Sequence, residues 1–86
     1  MTVSQLLQQS RHAHRQFHQT DAQHQGAGHW INGDQAVARQ QLEDALRFRL
    51  EAVTLDPQFK DGAWAEDPVP HRELVAFYKA AIAARA

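Results

Sequence analysis

The stretch from Asp34 to Asp56, DQAVARQQLEDALRFRLEAVTLD, decides the fold. Turned at about 100° per residue, its apolar residues (Val37, Ala38, Leu42, Ala45, Leu46, Phe48, Leu50, Ala52, Val53 and Leu55) fill an arc of roughly 220°. A surface helix needs a stripe of only about 100°. The wider arc predicts a central helix with neighbours on two sides. Its alanines, leucines, arginines, glutamates and glutamines are good helix formers. Asp34 after Gly33 suits an N-cap, and Asp56-Pro57 a stop, because the residue before proline is pushed out of the helical region. Glu43 and Arg47 stand in the favourable i, i+4 order for a surface ion pair.

Arg49 breaks the pattern by projecting at about 340°, inside the apolar arc. The expected arrangement is a snorkelling side chain, its stem packed and its head meeting Glu66 or Asp67. The alternative is an anchor for a ligand or partner in a groove.

On either side, Thr2 to about Thr20 reads as a first helix that extends as far as Gln25 in its longest reading, residues 2–24 in outline. Val3, Leu6, Leu7, Ser10, Ala13, His14 and Phe17 share one face, and Thr2 or Ser4 would cap it. DAQHQGAGHWING, residues 21–33, reads as a connection anchored by Trp30 and Ile31, since each helical glycine costs about 1 kcal/mol relative to alanine. PQFKDGAWAEDPV, residues 57–69, carries turn formers around Phe59 and Trp64. Both aromatics are expected under the loop, with a short helical turn near Trp64. Glu66-Asp67 is expected to solvate a turn and cap a last helix spanning about 69–85, whose apolar face holds Leu74, Val75, Phe77, Tyr78, Ala81 and Ile82.

The predicted architecture is all-α: a three-helix bundle around a long central helix of about residues 34–55, in one domain covering 1–86. A chain this small buries only about 60% of its unfolded surface, so self-association would help it. The formal net charge of −1 provides no electrostatic drive toward nucleic acid or an anionic membrane. With no cysteine, disulfide scaffolds, thiolate zinc sites and thiol catalysis are excluded. No apolar run approaches a membrane span and no signal pattern opens the chain, which makes the cytoplasm the expected location. Charge is uneven, with Arg11 and Arg15 near the N-terminus and Asp56, Asp61, Glu66, Asp67 and Glu73 later, so a basic arm is expected to dock on an acidic loop, within the chain or across a dimer, in a salt-sensitive way.

Gly26, Gly33-Asp34, Ala45, Ala52 and Asp56-Pro57, followed by Phe59 and Trp64, resemble fragments of a tetratricopeptide unit. The resemblance implies a peptide-binding surface but transfers no particular residue. The second helix is about two turns too long for the 34-residue unit and no second copy follows, so the resemblance is not adopted.

Six histidines are many for this length. His14 and His18 are four apart, the spacing by which one helix offers two imidazoles to a metal, and Asp21 would complete a two-histidine, one-carboxylate set. Imidazole ligands favour zinc, nickel or copper. The plainer alternative makes His14 a hydrogen-bonded core residue. Protonating all six histidines would carry the formal charge from −1 to +5, which offers a response to acid; the expectation is that exposed histidines titrate without consequence. HExxH, nucleophile-elbow, phosphate-loop and dinucleotide patterns are all absent, so no catalytic residue is assigned and no enzyme activity is expected. The leading expectation is a small interaction module, a homo-oligomer or a subunit of a larger assembly, with Trp30, Phe48, Arg49, Leu55 and Trp64 near the partner surface. The second is a transition-metal binder using His14, His18 and Asp21.

Overall fold

A computed structural model describes residues 1–27, 34–60, 62–65 and 67–85, with helix residues 23–27 and 34 described by their backbone alone. Helix α1 spans Val3–Ala27, α2 Asp34–Leu55 and α3 His71–Ala83, with a 3-10 turn at Pro57–Phe59. The all-α three-helix architecture is as the periodicity predicts. The molecule measures 41 × 20 × 18 Å. At 1.5 Å per residue, the 25 residues of α1 account for about 37 Å of the long dimension.

Local chemistry sets the ends. Thr2 Oγ1 accepts from the Gln5 backbone N–H at 3.1 Å, and Gln5 Oε1 accepts from the Thr2 N–H at 2.8 Å. This reciprocal box satisfies two donors that the first turn would otherwise leave open, and it selects Thr2 over Ser4 as cap. α1 runs on through Gly26, past the end expected for it. The cap expected of Asp34, and the anchor expected of Trp30 and Ile31, lie outside the described side chains. α2 stops at Leu55, immediately before Asp56-Pro57. α3 starts one residue after Pro70, whose backbone lies at φ −56°, ψ 132°. Proline has no N–H to leave unsatisfied at that junction.

α1 and α2 pack antiparallel. Apart from Leu7, their buried positions follow alternating steps of four and three: Leu6, Ser10, Ala13, Phe17 and Thr20 on α1, and Ala38, Leu42, Ala45, Arg49 and Ala52 on α2. That is the seam spacing of coiled-coil packing. Ala38, Ala45 and Ala52 recur every seventh residue, all fully buried, and face a helix that itself contributes Ser10 and Ala13. Small side chains on both faces let the backbones approach closely, and Ser10 Oγ donates to the Ala45 carbonyl at 2.8 Å across the gap.

The core has two halves. Ala13, Phe17, Ala38, Leu42 and Ala45 are closed over by Tyr78 of α3, with Leu46, Leu74, Ala81 and Ile82 around them. Leu6, Leu7 and Ala52 are closed over by Trp64, with Val3, Phe48, Val53 and Phe59 around them. α2 therefore does have neighbours on more than one side, but its fully buried strip covers only about 80° on the helical wheel. Leu50, Val37 and Leu55, at the margins of the apolar arc, remain 44%, 48% and 58% exposed. The surface pairs also differ from expectation: Glu43 meets Arg39 at 3.9 Å, and Arg47 meets Asp44 at 3.5 Å. Arg47 also lies 4.7 Å over the Phe48 ring, a contact that draws it away from Glu43.

Candidate functional site

Arg49 occupies the seam position between the two halves of the core. It is 1% exposed, so it does not snorkel. Its Nη1 donates to Asp67 Oδ2 at 2.7 Å and its Nη2 donates to the Val69 carbonyl at 3.1 Å. The guanidinium carbon stands 5.5 Å from the centre of the Trp64 ring. Of the two carboxylates the sequence offers, Asp67 meets Arg49, and the pair is interior. Asp67 is 6% exposed and accepts from Arg49 instead of solvating a turn or capping α3, whose N-terminus has no side-chain cap. A charge at the centre of a small core is tolerable only when paired and hydrogen-bonded in this way. Arg49 Nε and Trp64 Nε1 are buried without a hydrogen-bond partner among the described residues.

The connection between α2 and α3 is held to this pair. Trp64 and Asp67 form an antiparallel bridge, and the His71 N–H donates to the Gly62 carbonyl at 2.9 Å. Trp64 is 4% exposed, 5.2 Å from the Phe59 ring and edge-on to His71 at 5.9 Å. The short helical turn falls at Pro57–Phe59 rather than at Trp64.

Above the pair lies a pocket of about 220 Å³, lined from α1 by Ser10, Arg11, His14 and Arg15, with Arg49, Asp67 and Tyr78 opposite. Arg11 Nη1 is 3.9 Å from Asp67 Oδ2, so the basic arm and the acidic connection do meet, at this point. His14 Nδ1 is 2.7 Å from the Tyr78 hydroxyl and His14 Nε2 is 2.9 Å from His18 Nε2. The His14 ring also stacks on Phe77 at 5.7 Å.

The environment discourages charge on His14. Burial lowers its pKa first and the neighbouring His18 lowers it further; Asp67 opposes this and Arg49 reinforces it. Burial likewise raises the Tyr78 hydroxyl, against the Ser10 hydroxyl and the Arg49 charge. A depressed folded-state pKa means that protonation favours the unfolded chain, so the His14 contribution is intact above the ordinary value of 6.5 and is lost as pH falls from there through the lowered folded-state pKa. In urea titrations of metal-free protein at neutral and mildly acid pH, His14→Gln should flatten the loss of stability in acid. Parallel curves for the two proteins would show that His14 carries none of it.

The proposed metal set is only partly assembled. His14 and His18 converge, whereas Asp21 Oδ1 faces Arg85 Nη2 at 3.4 Å. Among the described residues no group of three or more histidines and acids surrounds one point. Of the residues expected near a partner, Leu55 is exposed, Phe48 is half-buried, and Arg49 and Trp64 are interior. Trp30 lies outside the described residues. Arg15, Ser10 and Tyr78 were not foreseen as site residues. Arg11, His14 and Arg15 do share one edge of α1 by their i, i+3, i+4 spacing, and that signal was open to reading. No family model, curated protein or solved structure matches the chain. No helix among the described residues is long and apolar enough to cross a membrane.

Proposed function

We propose that the chain is a small helical interaction module that associates with a second copy of itself. The observation that supports this is apolar surface at the end of the α1–α2 pair remote from their connection. There Met1 and Leu55, 70% and 58% exposed, line an open groove of about 340 Å³ together with Leu6, Glu51 and Thr54. Covering such surface with a partner removes it from water at about 25 cal/mol per Å². It would also supplement the limited core of an 86-residue chain. Sedimentation from micromolar to millimolar concentration should show a monomer–dimer equilibrium that Leu55→Lys pushes to monomer. A wild-type chain that stays monomeric throughout that range overturns the reading.

A second reading has its own observation, the 2.9 Å separation of the His14 and His18 Nε2 atoms. With metal–nitrogen bonds of about 2.1 Å, cis ligands at a right angle stand about 3.0 Å apart and tetrahedral ligands about 3.4 Å. The pair therefore suits a tetragonal copper or nickel ion better than tetrahedral zinc. Tyr78 holds Nδ1 of His14, the outer-shell contact that orients a ligating imidazole with Nε2 outward. Two protein ligands make a weak site unless solvent or a second copy completes it. Copper or nickel should raise the melting temperature of the wild type more than zinc does, and His14→Ala should abolish the rise. An equal rise in the variant would dismiss the site.

A further inference from the structure

We propose that the pocket between α1, α2 and the 64–71 connection is a binding site for a small oxyanion, a phosphate group before others. It stands apart from the self-association reading, which uses a different groove with different residues.

Charge carries the argument. Among the described residues, three arginines, Arg11, Arg15 and Arg49, line the pocket against one acid, Asp67. That carboxylate already accepts from Arg49 at 2.7 Å, so the lining as a whole carries a formal excess of positive charge. Arg49 cannot leave, being fully buried and bonded to both Asp67 and the Val69 carbonyl. Paired with Asp67, it holds the floor in place and leaves the net positive charge of the lining to Arg11 and Arg15. Arg11 is different. Its side chain is 34% exposed and stands 3.9 Å from Asp67, at the mouth, where it can face an entering anion while staying beside the carboxylate. Arg15, one turn further along α1, is exposed. The Cβ atoms of residues at i and i+4 stand about 5–6 Å apart on one face, close enough for two guanidinium forks to converge on one tetrahedral oxyanion.

The rest of the lining suits a polar head group held at an apolar wall. Tyr78 and His14 are bonded to each other at 2.7 Å and form a fixed polar wall, while Val69 and Leu74 supply apolar lining. Low-dielectric walls strengthen the attraction of the arginines for an anion. At about 220 Å³ the pocket falls short of the roughly 300 Å³ at which sites for whole drug-sized ligands begin, and fits a single phosphate-sized group. The same chemistry would be presented by free inorganic phosphate or by the terminal group of a phosphate monoester.

Calorimetric titration distinguishes the two. Inorganic phosphate and glycerol phosphate are titrated separately into the full chain, with sodium chloride of matched ionic strength as control. Saturable binding of at least one phosphate species, absent with chloride, is expected, and Arg11→Gln with Arg15→Gln should weaken it at least tenfold. Tighter binding of the ester identifies the terminal group of a larger ligand; equal or tighter binding of inorganic phosphate identifies the free ion. Neither arginine is buried, and matching circular dichroism spectra will establish that the variant folds; if the double variant does not, Arg15→Gln alone serves. Absence of saturable binding by either species, or binding undiminished in the folded variant, overturns the proposal.

Discussion

Replacing Arg49 by methionine should cost about 3–5 kcal/mol, the usual penalty for breaking a buried ion pair by removing one partner. The loss is large because of what stays behind. Asp67, 6% exposed, would lose its 2.7 Å donor, and the Val69 carbonyl would lose its own. Total stabilities are about 5–15 kcal/mol, so one substitution would remove a large share. Domains of this size lose about 4–8 °C of melting temperature per kcal/mol, which puts the expected drop at about 12 °C or more. Urea denaturation measures the effect directly. A cost below about 1 kcal/mol would mean that Asp67 reaches water and that the pair is peripheral. Converting both partners, Arg49→Met with Asp67→Leu, should recover most of the loss, because a well-packed apolar pair is often no less stable than a buried ionic one. What the apolar pair would give up is register. A polar residue at one seam position penalises sliding of α1 along α2 and mismatched docking of the connection.

Trp64→Ala should rival it, at about 3–5 kcal/mol, the range for truncating a buried aromatic. Trp64 is the lid on the half of the core formed by Leu6, Leu7 and Ala52, and it also stacks near Phe59 and carries the Arg49 guanidinium over its face. The damage should be local before it is global. Amide exchange should speed up most at Asp67 and His71, whose N–H groups donate to the Trp64 and Gly62 carbonyls. Trp64→Phe should cost less, since it keeps a ring in the cavity. Because Trp64 and Arg49 touch, the double variant should depart from additivity by about 0.5–3 kcal/mol. Unchanged exchange at those two amides, or a loss under about 1 kcal/mol, would show that Trp64 does not secure the connection.

Those two residues also show where sequence reading stops. The wheel places Arg49 inside the apolar arc, and the sequence offers Glu66 or Asp67 as its partner at the surface; Asp67 meets it, but in the interior. Periodicity reports the direction in which a residue points. It does not report what lies beyond, and whether Arg49 ends in water depends on where a connection eighteen to twenty residues downstream folds back. Trp64 is the same case from the other side. A large aromatic in a loop reads equally as a partner anchor or as a lid, and only the folded path of the connection makes it a lid. The apolar arc of α2 overstated its cover for a related reason. α3 and the connection close over separate halves of the α1–α2 pair, so the edges at Leu50 and Leu55 receive neither.

The histidine pair was legible because four residues are nearly one helical turn, so the i, i+4 rings meet without help from the rest of the fold. Asp21 was less so: its ionic neighbour, Arg85, is sixty-four residues away at the other end of the chain. The pocket above Arg49 needs α1, α2, α3 and the connection together, and no single segment contains enough of it to announce it.

By itself the sequence determined the three helices, the stop of α2 at Leu55 before Asp56-Pro57, and the interior direction of Arg49. Those depend on backbone propensity, proline chemistry and the 3.6-residue turn, which act within a few residues. Only the tertiary structure decided that Arg49 is interior, that Trp64 covers the core, and that Arg11, Arg15, Tyr78 and Asp67 share a pocket. These depend on which surfaces meet, and contact between residues far apart along the chain is settled by packing and by the need to pair every buried charge.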